Sequence, residues 1–333
     1  MKARTVRFHR VGGPEVLAFE DLEVGEPGAG EVRLRVLAIG LNRAEAAYRA
    51  GRYLETPQLP SRLGYEAAGV VEAVGPGVAG VAVGDTVCVL PAFSMNRYGT
   101  YAERAIVPAN ALIPAPAGLS ATDAAALWMA SLTAYGALVE IGRIGPGDAV
   151  LISAASSSVG LAAIQIARML GATPIALTRT AAKTDVLRAH GAAHVLAPGN
   201  ALAAEVARIT GGKGARLAFD PVAGPAVLAL ADALGPGGTL VIYGNLSGQA
   251  VQTPFPFHAA VARGLSLRGY LVFELLRDAA RLQAARSFIE AGLAAGALRP
   301  VIDRVFPFDQ IVAAHHYLES NAQVGKVVID VAQ

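Results

Sequence analysis

A run of small residues lies where a predicted strand meets a predicted helix: Ala154-Ala155-Ser156-Ser157-Ser158-Val159-Gly160. An apolar segment, Asp148 to Ser153, comes before it, and apolar residues at helical spacing follow it as far as Gly171. A strand, a tight turn and a helix in this order place backbone N–H groups where they can hold a pyrophosphate. Serine stands where such turns usually have glycine, but it is small and its hydroxyl can donate to a phosphate oxygen. The pattern predicts a dinucleotide-binding turn made of Ser156, Ser157, Ser158, Val159 and Gly160. The alternative is an ordinary crossover with no nucleotide.

The next predicted strand ends at Thr178-Arg179-Thr180, and Lys183 follows one turn later. Sites for NAD usually carry Asp or Glu at the end of this strand, to accept from the ribose 2′-hydroxyl. This chain has no carboxylate there; Arg179 and Lys183 would instead meet the 2′-phosphate of NADP, and a planar guanidinium suits a phosphate. We therefore predict NADPH as the cofactor. The residues expected to hold its phosphate end are Thr178, Arg179, Thr180 and Lys183. Two solvated surface cations are the alternative.

Strand and helix patterns alternate over residues 123–299, with further strands expected at 194–196, 217–220, 239–243 and 265–270. With the two strands around the turn, they predict six parallel strands covered by helices on both faces, which is a Rossmann fold. Tyr243, Gly244 and Asn245 end one strand at the carboxyl edge, where such sheets bind ligands. We predict that residues 123–299 form the NADP-binding domain.

The rest of the chain has a different pattern. Residues 1–122 contain short strands separated by glycine turns, which is typical of a partly open β-barrel. Residues 300–333 return to this pattern, with a strand, a helix and a final strand at 326–331. We predict that the two segments form one discontinuous β-rich domain. The expected fold class is therefore α/β, a doubly wound parallel sheet plus this second domain.

The composition is that of a globular protein, with 53% hydrophobic and 16% charged residues and a net charge of +2. Neither nucleic acid nor a membrane is expected as a partner, since basic tracts and long apolar runs are absent from the sequence. Cys88 is the single cysteine, which rules out an internal disulfide and a cysteine-based zinc cluster. The first residues lack the pattern of a signal peptide, so we expect a cytoplasmic enzyme with a small-molecule substrate.

Several segments together resemble the medium-chain dehydrogenase/reductase superfamily over essentially the whole chain. They are Gly64-Tyr65-Glu66-Ala67-Ala68-Gly69, Val83-Gly84-Asp85-Thr86-Val87, Gly99-Thr100-Tyr101-Ala102-Glu103, Leu132-Thr133-Ala134-Tyr135 and the small-residue turn. The resemblance implies a GroES-like catalytic domain at 1–122 and 300–333 and a Rossmann domain at 123–299. It also implies that Thr133, on the helix that reaches the nicotinamide, contributes to cofactor binding. Phe273 is a further predicted cofactor-binding residue, with a substrate channel or the core as alternative locations for its apolar ring.

The chain departs from the zinc-dependent members of this superfamily. The resemblance places Asn42, Tyr65 and Met129 where those enzymes have the Cys, His and Cys that bind a catalytic zinc. None of the three is a credible zinc ligand. The four-cysteine segment of the structural zinc is also missing, and the six histidines show no ligand spacing. We therefore predict that the protein binds no metal.

Without a Lewis acid to polarise an alcohol or carbonyl oxygen, the resemblance points to the zinc-independent branch of quinone oxidoreductases and enone or enoyl reductases. In those enzymes hydride enters an electron-poor carbon of a conjugated acceptor, for which positioning and hydrogen-bond donors can suffice. The candidates for the donor role are Asn42, Tyr48 and Tyr65. Their alternatives are a helix N-cap for Asn42, core packing for Tyr48 and simple filling of the vacated metal position for Tyr65.

These features predict an NADPH-dependent reductase of a quinone or an α,β-unsaturated carbonyl compound. A metal-dependent alcohol or carbonyl dehydrogenase would need ligands that the sequence does not show. A non-catalytic nucleotide-binding protein, crystallin-like or RNA-binding, is a third interpretation. The last predicted strand, 265–270, would be an exposed edge in a monomer. Similar family members pair such edges across a two-fold axis, so we expect a homodimer.

Overall fold

The structure is a computed structural model that describes residues 1–332. Its strands are β1 (Lys2–Arg7), β2 (Ala18–Glu23), β3 (Glu31–Gly40), β4 (Ala67–Val74), β5 (Thr86–Val89), β6 (Arg104–Pro108), β7 (Leu112–Pro114), β8 (Ala149–Ile152), β9 (Thr173–Leu177), β10 (His194–Leu196), β11 (Ala215–Asp220), β12 (Leu234–Ile242), β13 (Ser266–Gly269), β14 (Ile302–Pro307) and β15 (Lys326–Asp330). Its α-helices are α1 (Arg43–Arg49), α2 (Ala121–Ala125), α3 (Trp128–Tyr135), α4 (Ser158–Met169), α5 (Thr184–Ala189), α6 (Leu202–Thr210), α7 (Val227–Ala233), α8 (Phe257–Arg263), α9 (Phe273–Leu276), α10 (Ala279–Ala294) and α11 (Ile311–Ser320). None of the helices in these residues is both long and apolar enough to cross a membrane.

The chain forms two compact units. The first combines Met1–Met129 with the described residues from Pro300 onward, and the second is Ala130–Arg299. The predicted discontinuous β-rich domain is therefore present. Its predicted boundary, between residues 122 and 123, falls within α2, whereas the structure divides the chain after Met129. The reason is that α2 packs against β3, β4 and β15 and so belongs to the first unit. The predicted domain end, Gln333, lies outside the described residues.

The first unit is built on a seven-stranded sheet. Its strand order is β14-β15-β3-β4-β5-β7, with β6 also paired to β3. The C-terminal strand β15 pairs antiparallel with β3, through Val328 and Gly40 among others. The chain's last segment therefore completes the sheet that its first segment begins. Strand β6 begins at Arg104, so residues 99–103 lie before it and outside the sheet.

The second unit contains the predicted six-stranded parallel sheet, in the order β10-β9-β8-β11-β12-β13. The order changes direction at β8, which is the point where such sheets bind ligands. All four residues of β8 are buried, as expected for a central parallel strand. The helical segment over residues 121–141 is divided into α2, α3 and a π-helical turn, Gly136–Ile141. A Cβ on Gly136 would lie 2.0 Å from the Tyr270 hydroxyl oxygen. The π-helical turn therefore begins at a residue whose backbone packs closely against Tyr270.

Candidate cofactor and substrate sites

The turn after β8 joins strand and helix closely. Ala154, just beyond β8, has a left-handed backbone with a φ of 47°. Ser157 is the N-cap of α4, and its hydroxyl oxygen accepts from the backbone N–H of Gly160 at 3.1 Å. A Cβ on Gly160 would lie 2.6 Å from the carbonyl oxygen of Ala155. Glycine is therefore required at 160 by backbone packing, while Ser158 and Val159 begin the helix half-buried.

Two side chains from other segments of this unit contact the serines of the turn. Lys183 Nζ donates to Ser156 Oγ at 3.0 Å. The Tyr243 hydroxyl is hydrogen-bonded to Ser157, and its ring stacks on Phe219 with centroids 4.1 Å apart. Desolvation raises the pKa of Tyr243 above its ordinary value, so this phenol stays neutral. The structure thus brings together Ser156, Ser157, Lys183 and Tyr243, which the sequence places in three separate segments.

Arg179 is exposed in the loop after β9. Its neighbours hold the loop in a turn, because the Thr178 hydroxyl donates to the Thr180 carbonyl oxygen at 3.2 Å. The guanidinium therefore projects from a short, hydrogen-bonded turn at the carboxyl end of a parallel strand, which is the position expected of a group that binds a ribose phosphate. Its role stays a prediction.

The remaining predicted cofactor residues lie on the same unit. Gly244 is packed so that a Cβ would lie 2.8 Å from the Pro221 carbonyl oxygen, and the Asn245 side chain accepts from a backbone N–H at 3.0 Å. Thr133 is buried in α3, and Phe273 is the half-buried first residue of α9. These contacts are structural, so the cofactor roles of the four residues stay predictions.

In the first unit, Asn42 immediately precedes α1 and its side-chain amide joins a buried polar network. Asn42 Oδ1 accepts from Lys326 Nζ at 2.6 Å, and the same ammonium donates to Glu66 Oε2 at 2.6 Å. Asn42 Nδ2 lies 3.1 Å from the Gly40 carbonyl oxygen, 3.2 Å from Glu45 Oε1 and 3.4 Å from Glu66 Oε2. The amide oxygen is held by a short, charge-assisted bond, whereas the amide N–H groups make long bonds. The N–H side is therefore the part of Asn42 that can exchange partners.

Glu45, which is fully buried in α1, adds a second carboxylate to this network. Its oxygens accept from the backbone N–H groups of Asn42 at 2.6 Å and Tyr65 at 3.2 Å. Burial raises the pKa of Glu45 to about 7, against the opposing effect of the Lys326 charge. Two buried carboxylates therefore lie near one ammonium, and the charge of the network changes near neutral pH.

All three residues at the expected zinc positions belong to this network. Asn42 reaches Lys326 directly, Tyr65 donates to Glu45 from its backbone, and the backbone N–H of Met129 donates to Glu66 Oε1 at 2.8 Å. Over residues 1–332, no group of three or more His, Cys, Asp or Glu side chains is placed to hold a metal ion. The side chains at the three positions are an amide, a phenol and a thioether, and this donor set is unsuited to zinc.

Tyr48 is buried in this structure, and its predicted donor role stays a prediction. The side chain is 0% exposed, and its hydroxyl lies 2.8 Å from Ser61 Oγ and donates to Asn96 Oδ1 at 2.7 Å. Its ring packs edge-on against Phe8. The alternative interpretation, an aromatic residue at helical spacing in the core, is consistent with this burial, because α1 turns Tyr48 towards the interior.

Tyr65 is also buried, but its hydroxyl is hydrogen-bonded to that of Tyr53, a residue that the sequence analysis did not single out. Burial raises the pKa of both phenols, to about 12 for Tyr53. The bond between them raises the pKa of Tyr65 and lowers that of Tyr53, as expected when Tyr65 is the donor. Tyr53 is half-buried and keeps its own proton to donate. In the sequence, the feature that could have indicated Tyr53 is its position two residues after Gly51, just beyond the end of α1.

Known proteins share this combination of units. Residues 28–117 match the family model described as the alcohol dehydrogenase GroES-like domain, and residues 158–290 match the one described as zinc-binding dehydrogenase. A 2-haloacrylate reductase from Burkholderia sp. is 33% identical over 97% of this chain and 97% of that protein. A quinone oxidoreductase from Pseudomonas aeruginosa is 33% identical over 98% of this chain and 99% of that protein. The structure of Escherichia coli quinone oxidoreductase complexed with NADPH has a TM-score of 0.90 and 30% identity, covering 98% and 100% of the two chains.

A parallel Rossmann sheet and a discontinuous GroES-like unit, whose described residues include no group of three or more His, Cys, Asp or Glu side chains placed to hold a metal, define a two-domain dehydrogenase/reductase. The chain belongs to the medium-chain dehydrogenase/reductase superfamily, in its zinc-independent quinone oxidoreductase branch. The sequence-based assignment of the family and of the fold class is therefore confirmed.

Proposed function

We propose that the protein is an NADPH-dependent, zinc-free reductase of quinones or α,β-unsaturated carbonyl compounds. The observation that best supports NADPH as the cofactor is the turn after β8. There Ser156 accepts a hydrogen bond from Lys183, and Gly160 allows the start of α4 to pack closely against Ala155. The similarity to a 2-haloacrylate reductase and to quinone oxidoreductases supports a conjugated acceptor as substrate. The single cysteine, which is buried and unpaired, supports a cytoplasmic location.

The residues of the second unit fit a dinucleotide. The start of α4 offers backbone N–H groups and serine hydroxyls to a pyrophosphate, and the requirement for glycine at 160 matches the close packing that this motif needs. Arg179 and Lys183 would hold the 2′-phosphate, and Tyr243 would support the turn through Ser157. When bound, NADPH supplies a hydride to an electron-poor carbon of the substrate.

The residues of the first unit would hold the substrate carbonyl. Asn42 has its amide oxygen fixed by Lys326, so its N–H groups keep one orientation and can donate to an oxygen on which negative charge develops. Tyr53 offers a second donor, with its ring placed by Tyr65. A proton from solvent or from such a donor completes the reduction of the acceptor.

The Arg179→Ala variant should lose about ten- to hundredfold in affinity for NADPH, because a charge-assisted hydrogen bond contributes roughly 1.5–3 kcal/mol. Affinity for NADH should hardly change, since NADH has no 2′-phosphate. Lys183→Ala should show a smaller effect of the same sign, and the preference for NADPH should weaken as salt rises. Calorimetry with NADPH and with NADH on wild type and the two variants gives the six dissociation constants that decide this.

Arg188→Ala is the matched control, because Arg188 is an exposed arginine on the nearby helix α5. It should leave the affinity for both cofactors unchanged. Equal losses of NADPH and NADH affinity in Arg179→Ala would show that Arg179 supports the fold and does not contact the phosphate.

The Asn42→Ala variant should lower kcat by on the order of 10–100-fold while changing NADPH affinity little, because its N–H groups would act on the charged oxygen of the transition state. The measurement is NADPH consumption with a quinone, an enone, a 2-haloacrylate and an aldehyde. Ser120→Ala is the control: Ser120 caps α2 through the backbone N–H of Asp123. It should cost about 1 kcal/mol of stability without loss of turnover.

A variant that loses only stability, as Ser120→Ala should, would mean that Asn42 is an N-cap and not a substrate donor. If wild type consumed NADPH with the aldehyde and with none of the conjugated acceptors, the proposed reaction class would be wrong.

We also propose that the protein is a homodimer. Strand β13 is the last strand of the parallel sheet and is mostly exposed, and the segment before it exposes Phe255, Phe257 and Val261 by 60–67%. Val261→Asp should therefore shift a dimer towards monomer in light scattering at micromolar protein. Val83→Asp, at a valine exposed to 66% in the first unit, should not. A monomeric wild type would refute the proposal.

A further inference from the structure

A cavity in the first unit is lined by three arginines. Its volume is about 440 Å³, and its walls include Arg7, Arg62, Arg97, Ser61 and Asn96. Glu23 is the carboxylate of the lining, and it lies 3.4 Å from the N-terminal ammonium group. Three guanidinium groups therefore line a cavity whose one carboxylate already has a cationic partner, which leaves excess positive charge.

Arg62 is the arginine with the least compensated charge. In residues 1–332 its guanidinium group has no hydrogen bond or ion pair. Arg62 is exposed on its solvent side, and partial desolvation and the nearby charge of Arg7 both lower its pKa. By contrast, Arg7 donates to Glu20 at 3.1 Å, and Arg97 lies over the ring of Tyr98 at 5.3 Å. Arg62 therefore retains its full set of donors for a ligand.

The wall between these arginines is firmly held. Ser61 exchanges two backbone hydrogen bonds with Phe8, at 3.0 and 2.9 Å. Asn96 accepts from the backbone N–H of Gln58 at 2.7 Å and donates to the Glu55 carboxylate at 2.9 Å. The buried hydroxyl of Tyr48 contacts both Ser61 and Asn96. The cavity is thus pre-formed, which reduces the free energy cost of ordering it around a ligand.

We propose that this cavity binds the phosphate group of a small phosphorylated molecule. A phosphate monoester carries a charge of about −1.5 to −2 at neutral pH and has three acceptor oxygens. It can therefore bind several arginines at once, which a ligand with a single carboxylate does less well. Guanidinium groups bind such oxygens in a bidentate manner. The volume, about 440 Å³, is within the usual range for small-molecule sites, so there is room for an organic part as well. The site is independent of Arg179 and Lys183, which lie in the second unit.

The test is calorimetric titration of inorganic phosphate into the full-length protein at constant ionic strength, with NADPH present in saturating amount. The Arg62→Ala/Arg97→Ala double variant should bind phosphate at least about tenfold more weakly than wild type. Arg179→Ala and Arg188→Ala should bind it as wild type does. Malonate, titrated in the same way, should bind more weakly than phosphate.

Two results would overturn the proposal. One is phosphate binding that is lost in Arg179→Ala but kept in the double variant, which would place the anion at the cofactor turn. The other is phosphate binding that is equal in wild type and the double variant, which would mean that these arginines do not hold it. Malonate binding at least as tight as phosphate, and lost in the double variant, would replace the phosphate monoester by a carboxylate ligand and so contradict the proposal as stated.

Discussion

Replacing Lys326 by methionine should lower the free energy of unfolding by about 3–5 kcal/mol, because it leaves a buried carboxylate without its cation. The Lys326 and Glu66 side chains are each 1% exposed, and Nζ lies 2.6 Å from Oε2. The same ammonium also donates to Asn42, whose amide oxygen would lose its charged partner. Urea denaturation of wild type and variant at neutral pH measures the loss.

Two further variants separate charge from packing. Lys326→Arg keeps the positive charge and should lose less stability than the methionine variant. Adding Glu66→Gln to Lys326→Met removes the uncompensated carboxylate and should recover part of the loss. A loss below about 1 kcal/mol in Lys326→Met would be typical of an exposed salt bridge and would contradict the importance given to this pair.

The contribution of His315 to the free energy of unfolding should fall as the pH drops below about 6.5, with a slope of about 1.4 kcal/mol per pH unit. His315 is fully buried; its Nδ1 lies 2.8 Å from Arg49 Nη1, and its Nε2 lies 3.2 Å from the Tyr101 hydroxyl oxygen. Burial and the Arg49 charge lower the pKa of His315 to about 3. Between pH 3 and 6.5 the unfolded chain therefore takes up a proton that the folded chain does not, so this contribution to stability is present above pH 6.5 and is lost as the pH falls.

The measurement is the difference in unfolding free energy between wild type and His315→Gln from pH 4 to 8. Glutamine keeps an acceptor and a donor for the two partners but does not titrate, so the difference isolates the histidine. Glu45 acts with the opposite sign, because its raised pKa gives stability that is lost as the pH rises from about 4.5 to 7. That contribution is common to both proteins and cancels.

His316→Gln is the matched control, since His316 is the exposed neighbour on the same helix. It should change the free energy of unfolding by no more than about 0.5 kcal/mol, as is usual for an exposed residue. A difference for His315→Gln that does not change with pH would mean that the buried imidazole gains a proton as readily in the folded protein as in the unfolded chain.

The amino-acid sequence determined the architecture of the second unit almost completely. Short-range patterns of apolar residues predict its strands and helices, and their alternation predicts the six parallel strands. The small-residue turn, with glycine at 160 and serines before it, is also local. Lys183 and Tyr243 could be assigned to the same site because carboxyl ends of parallel strands meet at one edge of the sheet.

The tertiary structure alone decided which side chains surround Asn42 in the first unit. Asn42 and Lys326 are 284 positions apart, and Arg49 and His315 are 266 apart. No spacing rule links residues so distant, because the pairing of β15 with β3 and the packing of α11 bring them together. For the same reason the burial of Tyr48 was not evident from the sequence, and Tyr53 was overlooked until its bond to Tyr65 was seen. Residue types and local periodicity can be read from the sequence, whereas burial and long-range hydrogen bonds arise only when the chain has folded.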